Sequence, residues 1–172
     1  MKSRPSFADV IDFNAAVVGQ GRRLTEQLIS RVETFSAAIG PHLRHIIEHY
    51  EALLDRQPGA LVDYDHRARD RSVERNPDVA QQRLDSIVTK LRALAGHRPD
   101  EAVSVGFSIG IEGSDFHVSV SSLARELNFV ASHAIHHYAL IRPIALAAGL
   151  TLPDEFGKAP ETVRHERLQW TN

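Results

Sequence analysis

The 172-residue chain contains no cysteine, which excludes disulfide bonds, thiolate metal sites and a cysteine nucleophile of its own. Aromatic residues make up only 6% of the chain, and the formal net charge is −2 at pH 7. This balance gives no electrostatic reason to expect nucleic acid or an anionic membrane as a partner. The length suits one domain, which we predict to span residues 1–172.

Long hydrophobic runs are also lacking. The N-terminal residues MKSRPSFADV have no apolar stretch typical of a signal peptide. The longest apolar stretch, residues 138–150, is too short to cross a bilayer and contains Arg142. We therefore expect a cytoplasmic protein with no membrane partner.

Histidine, in contrast, is abundant, with ten residues, and several of them recur at helical spacing. Residues 123–150 predict one long helix with a buried stripe, because apolar positions recur at steps of three and four. The stripe consists of Leu123, Leu127, Val130, Ala134, His137, Ile141, Ile144 and Ala148. His133 precedes His137 by four residues, which is a metal-ligand spacing. Histidines that are simply hydrogen-bonded in the core would fit the same pattern.

A second histidine group lies in the helix predicted at residues 39–56. This helix carries His42, His45 and His49, at spacings of three and four residues. Further helices are predicted at residues 7–29 and 78–95. The charged segment 60–76 is either a solvated loop or a loop that brings functional side chains over a pocket. The candidates in that loop are Tyr64, Asp65, Arg67 and Arg69.

After Pro99 the hydrophobic period changes from 3.6 to 2, and a turn at residues 112–115 divides two alternating runs. This pattern predicts a β-hairpin over residues 103–120. The tail from residue 151 is predicted to be extended, with Trp170 docking on the helices or on a second subunit. The predicted fold is therefore all-α, a four-helix bundle with a small β-hairpin before the last helix.

Three segments resemble the DinB-like superfamily, in particular its small uncharacterised bacterial branch: IGPHLRHIIEHYEALL, ELNFVASHAIHHYALI and DEFGKAPETV. The resemblance implies a DinB-like four-helix bundle that often forms a homodimer. It also implies one divalent metal ion held by three histidines, with the remaining coordination positions open to water or substrate. Neutral imidazole ligands favour Zn, Ni or Fe as that ion. These histidines fall on His45, His133 and His137. The chain reads Tyr138-Ala139-Leu140 where the family usually continues with Arg-Gly-Gln, which puts an inherited substrate contact in doubt.

Two assignments stay open at the level of the residues. Helical periodicity places His49 nearer the buried stripe of its helix than His45, by about 40°. The resemblance nevertheless favours His45 as the ligand, with His49 as a supporting or substrate-facing group. Glu126 is either an acceptor or general base near the metal, or a surface residue favoured by the helix dipole.

Two functions are compatible with these features. The first is a metal-dependent enzyme, a thiol transferase or a hydrolase, whose metal polarises a bound water or binds the thiolate of a low-molecular-weight thiol. The alternative is a non-catalytic, metal-stabilised, dimeric, stress-related binding module. Small apolar residues on the first and last long helices favour a homodimer that buries more than about 1,000 Å².

Overall fold

The computed structural model describes residues 5–169, and helices contain most of them. Within this range the helices are α1 (Phe7–Glu26), α2 (Val32–Thr34), α3 (Gly40–Leu54), α4 (Arg71–Arg75), α5 (Pro77–Ala93), α6 (Leu123–Ala147) and α7 (Pro160–Gln169). The strands are β1 (Val62–Asp63), β2 (Ala102–Ile109) and β3 (Asp115–Ser122). A π-helical turn, Phe35–Ile39, joins α2 to α3.

The hydrophobic core lies between the four longest helices, because α1 and α3 each pack against both α5 and α6. Their facing side chains are fully buried, among them Leu24, Leu43, Ile87 and Leu127. Burying an aliphatic side chain of this size contributes about 1.5–3 kcal/mol. This packing holds α3 beside α6, so that the histidines of the two helices face one another.

α3 begins at a close approach between two stretches of backbone. A Cβ atom on Gly40 would collide with the carbonyl group of Glu74, which lies in α4. Arg44 and Glu74 form an ion pair across the same contact. These contacts hold α4 against the start of α3, and the segment that precedes α4 reaches His45 through Arg67.

The sheet has three strands in the order β1-β2-β3. β2 and β3 form an antiparallel hairpin, and β1 pairs in parallel with β2 through Val62 and Val105. The side chain of Ser122 accepts a hydrogen bond from the backbone N–H of Arg125 and caps α6, so the hairpin leads directly into that helix. The sheet therefore lies beside both α6 and the loop that follows β1.

The predicted all-α fold is wrong, because a mixed three-stranded sheet accompanies the helices. The hairpin itself is confirmed, but β1 arises within segment 60–76, where a two-residue strand is too short to show an alternating pattern. The extended tail expected from its prolines is also wrong for residues 160–169, which form α7. Trp170, expected to dock on the helices or on a second subunit, lies outside the described residues.

α6 confirms the predicted long helix and ends just before Gly149, whose φ of +74° suits glycine. Its buried side agrees with the predicted stripe at Leu123, Leu127, Val130, Ala134 and Ile141, but differs at His137. Tyr138 is fully buried, with its ring 5.2 Å from that of Phe156 in the tail, whereas His137 is only partly buried. No helix among residues 5–169 is both long and apolar enough to cross a membrane.

Candidate functional site

Four histidine rings meet between α3 and α6. His45 and His49 come from α3, and His133 and His137 come from α6. The ring centroid of His45 lies 4.9 Å from that of His133 and 4.5 Å from that of His137. The centroids of His49 and His133 are 4.3 Å apart. The i, i+4 spacing on each helix aligns both pairs on one face, so the two pairs converge.

Three of these histidines form the tightest group of nitrogens. One ring nitrogen from each of His45, His49 and His133 lies within 4.8 Å of the other two. The Nε2 atoms of His45 and His133 are 2.8 Å apart. His137 lies next to this group, but its Nδ1 shares a hydrogen bond of 2.9 Å with Nδ1 of His42. The structure thus brings the predicted ligands His45, His133 and His137 together and adds His49, which the prediction placed in a supporting role.

The histidines of this cluster are neutral near pH 7. Burial, with a smaller contribution from neighbouring positive charge, lowers the pKa of His45 and of His49 to about 3 each. Burial also lowers the pKa of His137 to about 4, and it lowers the pKa of His42 and His133 below the usual value for histidine. A neutral imidazole keeps a lone pair on one nitrogen, which is the form that binds metals.

The loop between β1 and α4 covers the cluster. The ring of Tyr64 stacks on that of His49 at a centroid distance of 5.5 Å and an interplanar angle of 11°. The guanidinium of Arg67 donates from Nη2 to Nδ1 of His45 over 3.1 Å. Of the two interpretations of segment 60–76, the structure agrees with a loop that lies over a pocket, to which it brings Tyr64 and Arg67, whereas Arg69 is exposed.

A cleft of about 490 Å³ opens beside His49, between the loop, the hairpin and α6. Its walls are largely aromatic and aliphatic, with Tyr64, Val105, Phe107, Val120 and Phe129 among the lining residues. Cavities of this volume, with apolar walls and a few polar groups, are typical of small-molecule sites.

Glu126 supplies the buried charge of the cleft. Its carboxylate, in a residue only 2% exposed, accepts hydrogen bonds from the hydroxyl groups of Tyr64 (2.9 Å) and Ser121 (2.6 Å). Burial and the negative charge of Glu126 raise the pKa of Tyr64 far above its usual value, so that this hydroxyl stays protonated. Of the two roles open for Glu126, the surface role is therefore wrong, and the carboxylate accepts hydrogen bonds at the cleft.

Two residues of the site, Glu48 and Phe129, were not predicted from the sequence. Glu48 is 3% exposed, and its Oε2 lies 3.7 Å from Nε of Arg67. Phe129 lies with its ring nearly parallel to that of His133, at a centroid distance of 5.9 Å. A glutamate or a phenylalanine inside an amphipathic helix is too ordinary to stand out, although their helical register with the histidines points to the same face.

The fold and the site define a mainly helical protein with a small mixed sheet and a cluster of neutral histidines beside an aromatic cleft. The chain is similar to FK506-binding protein 5 of Rhizopus delemar, with 32% identity over 109 residues. The match covers 63% of this chain but only 28% of that protein. No family model matches the chain, and no solved structure matches it.

These comparisons contradict the resemblance to the DinB-like superfamily, which is wrong: no model of that family matches, and the relative found carries the name of another family. The functions attached to that resemblance are corrected with it, both the metal-dependent thiol transferase or hydrolase on a four-helix bundle and the metal-stabilised stress-related module.

Proposed function

We propose that His45, His49 and His133 bind one divalent metal ion. The observation that carries this proposal is the convergence of one ring nitrogen from each residue within 4.8 Å of the other two. Neutral imidazole nitrogens suit Zn²⁺, Ni²⁺ and Fe²⁺. Because the pKa of His45 and of His49 is lowered to about 3, their lone pairs compete with few protons at neutral pH.

The surroundings of His49 support its role as a ligand. Nδ1 of His49 lies 2.7 Å from the backbone carbonyl oxygen of His45, to which it donates, so Nε2 is the nitrogen with the free lone pair. The stacked ring of Tyr64 further restricts the imidazole. Ligating histidines are commonly oriented in this way through a hydrogen bond from their other nitrogen.

His137 stays a predicted ligand that competes with His49 for the third position. Its ring centroid lies 4.8 Å from that of His133, close enough to join the group after a small rotation. Its Nδ1, however, already shares a hydrogen bond with His42. We therefore expect His137 to matter less for metal affinity than His49.

Metal content of alanine variants tests the proposal. The purified protein is stripped with a chelator, dialysed and titrated with Zn²⁺, and bound metal is measured by elemental analysis. We expect one ion per chain in the wild type, and its loss in His45→Ala, His49→Ala and His133→Ala. His117→Ala, at an exposed position on β3, is the matched control and should keep full stoichiometry. Full stoichiometry in all three ligand variants would overturn the proposal, and loss in His137→Ala but not in His49→Ala would reassign the third ligand.

The similarity to a protein named as an FK506-binding protein favours a second candidate, an FKBP-type peptidyl-prolyl isomerase. The cleft beside His49 supports it, since Tyr64, Phe107 and Phe129 offer aromatic walls on which a proline ring can pack. Rotation about a peptide bond crosses a barrier of about 18–20 kcal/mol and breaks no covalent bond. Such an activity needs shape and apolar walls and no metal.

An isomerisation assay separates the two candidates. The exchange between cis and trans forms of an Xaa-Pro peptide is followed by NMR, with and without protein, FK506 and chelator. The second candidate predicts faster exchange that FK506 inhibits, that the chelator leaves unchanged and that Phe129→Ala weakens. Unchanged exchange at high micromolar protein, together with no heat of binding for FK506, would refute it.

Three further properties expected from the sequence stay predictions. The homodimer awaits sedimentation measurements, and a monomer at high micromolar concentration would contradict it. The cytoplasmic location and a small-molecule substrate also stay predictions, since the cleft is compatible with a small ligand without identifying one.

A further inference from the structure

Arg67 forms a hydrogen bond with His45, one of the three proposed metal ligands. A guanidinium group has donors and no acceptor, so Nδ1 of His45 must be the acceptor in its 3.1 Å hydrogen bond with Arg67. A neutral imidazole carries one proton, which then lies on Nε2. That nitrogen faces Nε2 of His133 at 2.8 Å and donates to it. Both nitrogens of His45 are therefore already engaged.

Metal binding through His45 must expel Arg67, whichever nitrogen is used. Ligation through Nδ1 takes the lone pair that accepts from the guanidinium. Ligation through Nε2 requires the ring proton to move to Nδ1. Nδ1 is then a donor, so it can no longer accept the hydrogen bond from Arg67, and two donors face each other. His49 and His133 carry no such conflict, because His49 has Nε2 free and His133 accepts through Nε2.

Among the described residues, the displaced guanidinium has one carboxylate oxygen without a hydrogen bond close by, Oε2 of Glu48. The side chain of Arg67 is only 12% exposed, and its Nε lies 3.7 Å from Oε2 of Glu48, with neither atom in a hydrogen bond. The other carboxylate oxygen of Glu48 accepts the backbone N–H of Asp70 at 2.7 Å. Glu126 is engaged by its own hydroxyl donors and by Arg125.

The charges around the proposed metal ion also favour the binding of an additional anion. Three neutral imidazoles would leave both positive charges of the ion uncompensated, beside the fixed charge of Arg67. Glu48 lies near Arg67 but also 3.9 Å from Nε of Arg44, so it offsets at most one of these three charges. The carboxylate of Glu126 is engaged by two hydroxyl groups. In a partly buried site, uncompensated like charges are costly, since screening by water is reduced.

We propose that the metal binds together with a small oxyanion, a carboxylate or a phosphate group, which pairs with Arg67 as the guanidinium leaves His45. This inference rests on the proposed metal site and names the class of its exogenous ligand. Arginine forms paired hydrogen bonds with carboxylate and phosphate oxygens, which suits a group that spans the ion and the guanidinium. Metal and anion then bind cooperatively, and Arg67 is the positioning residue that couples them.

Calorimetric titration of the chelator-stripped protein with Co²⁺ tests this coupling. Three conditions of equal ionic strength are compared: no coordinating anion, acetate, and inorganic phosphate. We expect acetate, phosphate or both to raise the Co²⁺ affinity of the wild type on the order of tenfold. The two anions distinguish a carboxylate ligand from a phosphate ligand, and no effect of either would overturn the inference.

Variants at two loop arginines make the test specific. In the absence of anion, the Co²⁺ affinity of Arg67→Met should equal or exceed that of the wild type. Acetate or phosphate should change the Co²⁺ affinity of this variant by less than about twofold. Arg69→Met, at an exposed position in the same loop, should keep the full effect. If Arg67→Met does not fold by circular dichroism, Arg67→Lys takes its place, and its single-point charge should reduce the effect several-fold.

The outcomes separate this inference from the metal proposal. Metal binding that no anion strengthens overturns only the coupling, as does an undiminished anion effect in the Arg67 variants. Absence of Co²⁺ binding in every protein overturns the proposed metal site and the coupling together.

Discussion

Mild acid should destabilise the metal-free protein, because its histidine cluster is folded in the neutral form. His49 is 4% exposed, and burial lowers its pKa to about 3. In the unfolded chain the same group has a pKa of about 6.5. Between these values the unfolded state binds a proton that the folded state does not, so the free energy of unfolding falls as the pH falls.

The size of this effect follows from the two pKa values. For His49, protonation of the unfolded chain between pH 7.5 and pH 5.0 lowers the free energy of unfolding by about 2 kcal/mol. His45, His133 and His137 act in the same direction, with smaller contributions because they are partly exposed. We expect a loss of about 3–5 kcal/mol for the cluster, a large share of the roughly 5–15 kcal/mol typical of a domain.

Urea unfolding in the presence of a chelator measures this loss at pH 7.5, 6.5, 5.5 and 5.0. The informative quantity is the difference between pH values, because His49→Gln alters stability at every pH. That variant should reduce the difference by about 2 kcal/mol, whereas His117→Gln, at an exposed position, should leave it unchanged. A wild-type free energy of unfolding that is equal at pH 7.5 and pH 5.0 would refute the neutral, buried cluster.

Two further predictions concern the framework of the site. Gly40→Ala should lower the free energy of unfolding by about 1–3 kcal/mol, since its Cβ would meet the backbone of α4. The helical control Gly19→Ala, near only the end of a flexible side chain, should be neutral or stabilising by up to about 1 kcal/mol in the same urea assay. Tyr64→Phe removes a hydrogen bond to the buried carboxylate of Glu126 and should cost about 1–3 kcal/mol; an unchanged melting temperature would contradict it.

Local signals in the sequence were enough for the long helices and the hairpin. The Asn76-Pro77 pair predicts the start of α5, and the side chain of Asn76 does accept the backbone N–H of Asp78 there. Such signals act within a few residues and need no knowledge of the rest of the fold. The pairing of β1 with β2 joins Val62 to Val105, and no local pattern encodes a contact of that range.

On α6 the spacing of apolar residues does not by itself predict which side chains are buried. Apolar spacing places His137 in the stripe, but the structure buries Tyr138, because Phe156 from the tail packs against its ring. One residue corresponds to about 100° on a helix, so a neighbour from outside the helix decides which side chain is covered. On α3 the periodicity that places His49 nearer the buried stripe than His45 is confirmed by its burial, although Tyr64 from the neighbouring loop also covers the ring of His49.

The buried histidines stabilise the core less than aliphatic side chains would at the same positions. This loss of stability is the main physical argument that the cluster serves a function. Aliphatic side chains at positions such as His49 would contribute about 1.5–3 kcal/mol each by burial and would not lose stability in acid. Departures from a stable core of this kind are expected at functional sites. Each ring of the cluster also has a hydrogen-bonding partner within the protein, including the contact between His45 and Arg67. An ion that binds these rings must replace several of those hydrogen bonds, so we expect the bound ion to be exchangeable.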